Sequence, residues 1–374
     1  MSGNKYRDLA ALKKESAVFF KTDSAECILC PDMGGRIFCE CLGISLHRID
    51  LDCAANPSDS FNNFGGDNFW PAPEGGEFGF NYRGNEWYVQ PGINKQPFNV
   101  LKSGKESALI GKDINLINRA GTSLEVSMQR DLHLLNKPPE FMREYPLKGF
   151  LSYSTTDSFK VSNPVSSDKA LIAAWTLEQF EASDETLSFC VVPDSKAAIN
   201  FDFYEHPGDK ITYYEKGFTY RTDARSKGQI GIKTSAGACF IGFIDRSRNL
   251  ICVRENLNPH DGIFFNIADN DQAQGPYSAA DNYSIFNSDE SMQAFELETV
   301  GGAQIQNNIL KGSRLVSATS FAVFENTKNI DDFIDEHLGT RKSVVSKLLP
   351  STSSRSRSES GQVATYPGCI NTSG

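Results

Sequence analysis

From Ser16 to Phe324 the apolar residues of this 374-residue chain recur with a period of two rather than 3.6. A β-strand imposes that spacing, because successive side chains leave opposite faces of the pleat. The clearest run, Leu124-Glu125-Val126-Ser127-Met128-Gln129-Arg130-Asp131-Leu132-His133-Leu134, sets Leu124, Val126, Met128, Leu132 and Leu134 on one face. Shorter runs of the same kind lie at 17–20, 187–192, 199–203, 211–214, 230–233, 239–244, 250–254, 262–267, 294–300 and 317–324. Turn material such as Pro31-Asp32-Met33-Gly34-Gly35, Pro207-Gly208-Asp209 and Ser235-Ala236-Gly237 separates them. Many short strands at such spacing imply a sandwich or barrel. Helical patterning is confined to 6–15 and to 327–338, where Ile330, Phe333, Ile334 and Leu338 form one stripe. No fixed-period repeat or linker divides the body, so one all-β domain is expected over residues 1–339.

Residues 340–374 differ in kind. Arg341, Lys342, Lys347, Arg355 and Arg357 against Glu359 give +4, nine serines crowd the segment, and Phe and Trp are absent. Such a stretch cannot offset its ordering entropy by burial and is expected to be a disordered tail. The net charge of −10 then divides into −14 for the body and +4 for the tail (−14 + 4 = −10). An acidic body lacks the basic footprint that phosphate neutralisation requires, which argues against a nucleic-acid partner. No run of about 18 apolar residues occurs, so no membrane-spanning helix is expected. The first residues carry no apolar signal-like segment. Nine cysteines, an odd number in a long chain, do not form a small secreted disulfide framework, and a cytoplasmic location is expected. Cys27-x-x-Cys30 and Cys39-x-Cys41 flank the Gly34-Gly35 turn, but Cys27 and Cys30 face opposite sides of an apolar strand. They read as buried structural thiols rather than a zinc site.

Two segments stand out chemically. Phe64-Gly65-Gly66-Asp67-Asn68-Phe69-Trp70-Pro71-Ala72-Pro73-Glu74 joins glycines, a flat aromatic and directional polar groups. Carbohydrates are bound in that manner, with an aromatic face against C–H groups and fixed polar atoms on the hydroxyls. A packed Ω-loop with Trp70 in the core is the competing reading. In Phe295-Glu296-Leu297-Glu298-Thr299, a strand would project Glu296 and Glu298 to one face about 6.6 Å apart. Partial burial and mutual repulsion would then raise one pKa and supply an acid/base pair. A solvated acidic face is the alternative. The five histidines show no H-x-x-x-H spacing, so no metal is expected. His206 and His260 lie in Pro/Gly-containing loops from which a side chain can reach a ligand. No Walker A loop, G-x-S-x-G elbow or G-x-G-x-x-G after a strand occurs, and no cofactor is expected.

Read in order, five segments resemble the galactose mutarotase-like (aldose 1-epimerase-like) superfamily, and within it an uncharacterised bacterial branch. They are Pro31-x-x-Gly34-Gly35-Arg36-Ile37, the 64–74 segment, Ala174-Trp175-Thr176-Leu177-Glu178-Gln179, Arg225-Ser226-Lys227-Gly228-Gln229-Ile230-Gly231, and Asp281-Asn282-Tyr283 leading into Phe295-Glu296-Leu297-Glu298-Thr299. The resemblance spans about residues 17–325. It implies a large antiparallel β-supersandwich with few short helices and a concave sheet that binds a small-molecule carbohydrate. It also implies a sugar isomerase in which a glutamate takes the proton of the anomeric hydroxyl and a histidine protonates the ring oxygen. Glu298 matches the strand of that glutamate, with Glu296 as the alternative. The stretch matching the histidine is Ala174-Trp175-Thr176, and Trp175 cannot transfer a proton. His206 or His260 would then act from a loop, or the fold would bind sugar without catalysing its isomerisation. Asp67, Asn68, Trp70 and Glu74, with Arg130, Trp175 and Asp281, are the expected substrate-binding residues.

Overall fold

The computed structural model of the chain describes residues 4–202, 206–267 and 280–340. A 10-stranded and an 11-stranded sheet, antiparallel throughout, make up most of it. They pack face to face through large aromatic contacts, Phe69 against Phe159 and Phe180 against Phe243 and Phe321. This is the all-β supersandwich that the period-two pattern and the ordered motifs imply. The alternation holds residue by residue: Leu124, Val126, Met128, Leu132 and Leu134 of the strand Ser123–Leu135 are all buried in the inter-sheet core.

Helices are few and short. Thr327–Leu338 starts at Asn326, whose side chain accepts the Asn329 N–H, and stops at Gly339 in the left-handed region. Its stripe of Ile330, Phe333, Ile334 and Leu338 covers the outer face of the 11-stranded sheet at Phe189, Phe240 and Phe324. The N-terminal helix, Lys5–Leu12, covers one end of the other sheet's outer face, with Tyr6 and Leu9 against Ile28 and Phe38. The expected Cys27/Cys30 parity appears in the packing. Cys27, Cys39 and Cys41 belong to the inter-sheet core and Cys30 to the opposite face, all as free thiols.

Three local expectations are corrected. Residues 262–267 do not form a strand; only Ile263 makes an isolated bridge, to Ala303, because Gly262 holds a left-handed conformation against the 302–303 backbone. Of the strand expected at 199–203, the described residues form only Ile199–Asn200, and residue 203 lies outside them. The glycine-rich segment is not an Ω-loop but a fully buried strand, Gly66–Ala72. Gly65 and Gly66 enter it with φ of 85° and 75°, and a Cβ there would meet the Arg48 carbonyl at 2.0 Å or the Ile37 carbonyl at 2.8 Å. The expected tail at 340–374 lies, beyond Thr340, outside the described residues. No helix among the described residues is long and apolar enough to cross a membrane.

Candidate functional site

Five neighbouring strands of the 10-stranded sheet build the site: Gly66–Ala72, Ala173–Glu181, Ala294–Val300, Asp281–Asn287 and Gly228–Lys233, adjacent in that order. Their registers align the outward-facing side chains in rows. Asn68 lies beside Leu177, which lies beside Glu298; Gln179 lies beside Glu296; Trp70 lies beside Trp175. On the far side Glu296 faces Phe286, which faces Gln229. These positions alternate with inward-facing core residues, so one sheet face gathers carboxyls, amides and indoles while the other packs the sandwich.

A cavity of about 150 Å³ opens over this face. Trp175, Leu177, Glu296 and Glu298 line it from the sheet, and Phe61, Asn63, Glu74 and Trp87 line it from connecting segments. Phe61 packs edge-to-face on both Trp70 and Trp87, with ring centroids 5.6 and 5.2 Å apart. Trp87 comes from a small hairpin and donates its indole N–H to Glu74 Oε1 at 2.9 Å, which fixes that wall. At the rim Lys227 pairs with Asp289 at 3.4 Å.

The carboxyl pair predicted from the i, i+2 spacing stands on the sheet side of this cavity. Glu298 accepts from Trp175 Nε1 at 3.1 Å and from Gln229 Nε2 at 3.1 Å on each oxygen. Glu296 accepts from Gln179 Nε2 at 2.6 Å. Burial raises the Glu298 carboxyl well above its usual range, and repulsion from Glu296 adds to this. Burial also pushes Glu296 up to about 7, with a further contribution from Glu74, whose own carboxyl is raised by burial. Two such groups titrate as one unit, and between their two steps they hold a single proton. The upward push on Glu298 is the stronger of the two, so in that state the proton stays on Glu298 and the negative charge falls on Glu296.

Asn68, Trp70, Glu74, Trp175, Glu296 and Glu298 are thus brought together. The other expected site residues are not. Asp67 is one residue out of phase with Asn68 and points into the inter-sheet core. There Arg130 Nη2 donates to it at 2.9 Å and Arg254 Nη1 lies 3.4 Å away. Arg130 is fully buried and also pairs with Asp157 at 3.0 Å. Both therefore belong to a buried ionic network that takes in Glu178 and His47, whose Nε2 lies 2.7 Å from Glu178 Oε1. Asp281 is buried at the start of its strand, accepts from Asn200 Nδ2 at 2.9 Å, and does not line the cavity. His206 is exposed, packs on Phe201 and accepts the Gly208 N–H; His260 is exposed in a turn. Neither lines the cavity, and no other histidine among the described residues does.

Sequence reasoning did not single out Gln179, Gln229, Phe61, Asn63 or Trp87. Gln179 was within reach, since it shares parity with Trp175 on one strand. Phe61 and Asn63 sit in an irregular segment and Trp87 in a two-residue strand, too short to carry a readable periodicity. Three polar atoms around the cavity, Asn63 Oδ1, Asn68 Oδ1 and Trp70 Nε1, are buried with no hydrogen-bond partner among the described residues. Burial without a partner costs about 1–3 kcal/mol for each such atom.

Against this geometry stands the comparison with known proteins. Residues 4–339 match the Family of unknown function (DUF6786). The chain belongs to that family. Among solved structures, it is similar to the Slr1438 protein of Synechocystis, at 13% identity and a TM-score of 0.49 over 82% of this chain and 95% of that one. A galactose mutarotase related enzyme from Lactobacillus acidophilus is similar at 11% identity and a TM-score of 0.45, over 83% and 99% of the two chains. A galactose mutarotase-like protein from Lactobacillus casei is similar at 8% identity and a TM-score of 0.44, again over 83% and 99%. No curated protein matches the sequence.

Proposed function

We propose that this family member is a sugar isomerase of aldose 1-epimerase type, acting on a small carbohydrate held against the Trp70–Trp175–Glu298 face. The observation that carries the reading is the buried Glu296/Glu298 pair at the wall of an aromatic-lined cavity, where burial and mutual repulsion raise the carboxyls. Aldose mutarotation needs one group to take a proton and one to give it. Glu296, the member that ionises near pH 7, takes the proton of the anomeric hydroxyl. The C1–O5 bond breaks as the electron pair of that hydroxyl forms the aldehyde, and Glu298 gives its proton to O5. Rotation about C1–C2 and closure in the reverse sense yield the other anomer and restore both carboxyls. A carboxylic acid held protonated by burial thus does the work that the resemblance assigns to a histidine. The acidic surroundings and raised carboxyls favour an uncharged sugar, and no cofactor enters the scheme.

NMR exchange spectroscopy on free aldoses, corrected for the spontaneous rate, tests this directly. Acceleration by the protein and its loss in Glu298→Gln are the expected results, with activity confined to a bell whose acidic limb lies near pH 7. Sugar binding without any acceleration would leave a carbohydrate-binding protein on the same face. The absence of a histidine among the described lining residues favours that second reading.

A further inference from the structure

The three buried, unpartnered atoms lie on one side of the cavity. Asn68 Oδ1 and Trp70 Nε1 come from the same strand, and Asn63 Oδ1 from the segment just before it. Asn68 and Trp70 are each more than nine-tenths buried, at 6% and 4% exposure. Amide and indole groups elsewhere around the cavity are engaged: Gln179, Gln229, Trp87 and Trp175 all donate to carboxyls. Of the fifteen side-chain atoms buried without a hydrogen-bond partner among the described residues, three belong to residues lining this one cavity. Water or a ligand must complete them, and a ligand that does so gains the bonds without stripping water from already satisfied groups. Trp70 Nε1 offers only a donor, whereas an asparagine side chain offers an acceptor at one end and a donor at the other. A group that both donates and accepts answers this set, and adjacent hydroxyls are such a group.

The sheet register locates this wall relative to the acid/base pair. Asn68 and Glu298 are the two flanks of Leu177, hence two inter-strand spacings, or roughly 10 Å, apart. One sugar ring with a hydrogen bond at each end spans that gap, with Leu177 beneath its middle. If C1 stands at Glu298, the edge that reaches Asn68 is the opposite one, carrying C3 and C4.

We propose that Asn68, Trp70 and Asn63 read an unsubstituted C3–C4 diol of the sugar and so set its specificity. This rests on the proposed function above and narrows it to aldoses free at those two positions. Substitution or removal of either hydroxyl leaves the buried polar atoms open again, the situation in which binding sites discriminate most strongly.

The test measures binding of D-glucose and D-galactose, with their 2-, 3- and 4-deoxy analogues, by calorimetry or tryptophan fluorescence. It compares the wild-type chain with Asn68→Leu, a substitution of similar volume that removes the orphaned oxygen. The 3- or 4-deoxy sugars are expected to bind the wild type about tenfold more weakly than their parents. In Asn68→Leu the parent should lose about that factor and the deoxy penalty should shrink. Any 2-deoxy penalty should survive unchanged. Because the variant removes an unsatisfied buried atom, its melting temperature without sugar should not fall; a variant that unfolds instead leaves the wild-type deoxy series to decide. Parent sugars bound with no penalty for 3- and 4-deoxygenation would overturn the diol assignment and leave the proposed function standing. Failure of every aldose to bind the wild type would overturn both.

Discussion

Glu296→Gln is expected to make this protein more stable above neutral pH while removing its chemistry. In the folded chain the Glu296 carboxyl is buried and raised from 4.5 to about 7. In the unfolded chain it titrates near 4.5, as any exposed glutamate does. Between those two values the folded state holds a proton that the unfolded state has released, so wild-type stability falls as pH rises through this window. The span is about 2.5 pH units at 1.36 kcal/mol each, or about 3 kcal/mol of stability given up by pH 8. A neutral amide of the same shape does not titrate, and its carbonyl still accepts the Gln179 N–H that Glu296 accepts at 2.6 Å. Removing the negative charge also relieves Glu298 of the repulsion that helps hold its pKa up. Urea unfolding of wild type and variant at pH 5 and at pH 8 reads the effect. The difference in unfolding free energy should be small at pH 5 and favour the variant by up to about 3 kcal/mol at pH 8. Sugar isomerisation should be lost at both. A variant no more stable at pH 8 than wild type, or a difference independent of pH, would refute the buried, proton-sharing pair on which the proposed chemistry depends.

Other perturbations separate site from scaffold. Arg254→Met strips the fully buried Asp67 and Glu178 of a shared partner, and should cost about 3–5 kcal/mol in chemical unfolding. Asp281→Asn keeps the bond from Asn200 Nδ2 but removes a carboxyl that burial raises to about 7 from 3.8. Its stability relative to wild type should climb as pH rises between those values, with sugar binding unchanged, since Asp281 does not line the cavity. Gly66→Ala forces a side chain into a left-handed φ of 75°, with its Cβ 2.7 Å from the Phe38 ring. It should lower the melting temperature and weaken sugar binding together, because the same backbone carries Asn68 and Trp70.

How far the site could be read in advance follows from parity. Glu296 with Glu298, and Asn68 with Trp70, are two residues apart on strands, so their sharing of a face is implicit in the pattern. By the same rule Asp67 could not share a face with Asn68, and its expected substrate contact should have given way to the core position it occupies. Arg130 likewise lies in phase with Leu124, Val126 and Met128, the buried set of its strand. The histidines His206 and His260 were chosen for their loops, where no periodicity constrains position, and the structure sets both apart from the cavity.

Local sequence therefore determined that the chain is built of strands and, within a strand, which residues point together, because a pleat with two residues per repeat leaves no third choice. It could not determine which strands lie side by side. Glu298 stands two strands from Asn68 although 230 positions separate them along the chain (298 − 68 = 230), and only long-range pairing of the sheet makes that contact. Tertiary structure also decided the burial that lifts the carboxyl pKa values, the fixing of Trp87 by Glu74, and the orphaning of Asn68 Oδ1 and Trp70 Nε1. Each is a property of what surrounds a side chain, and the surroundings here come from segments that are neighbours only after the sheet has formed.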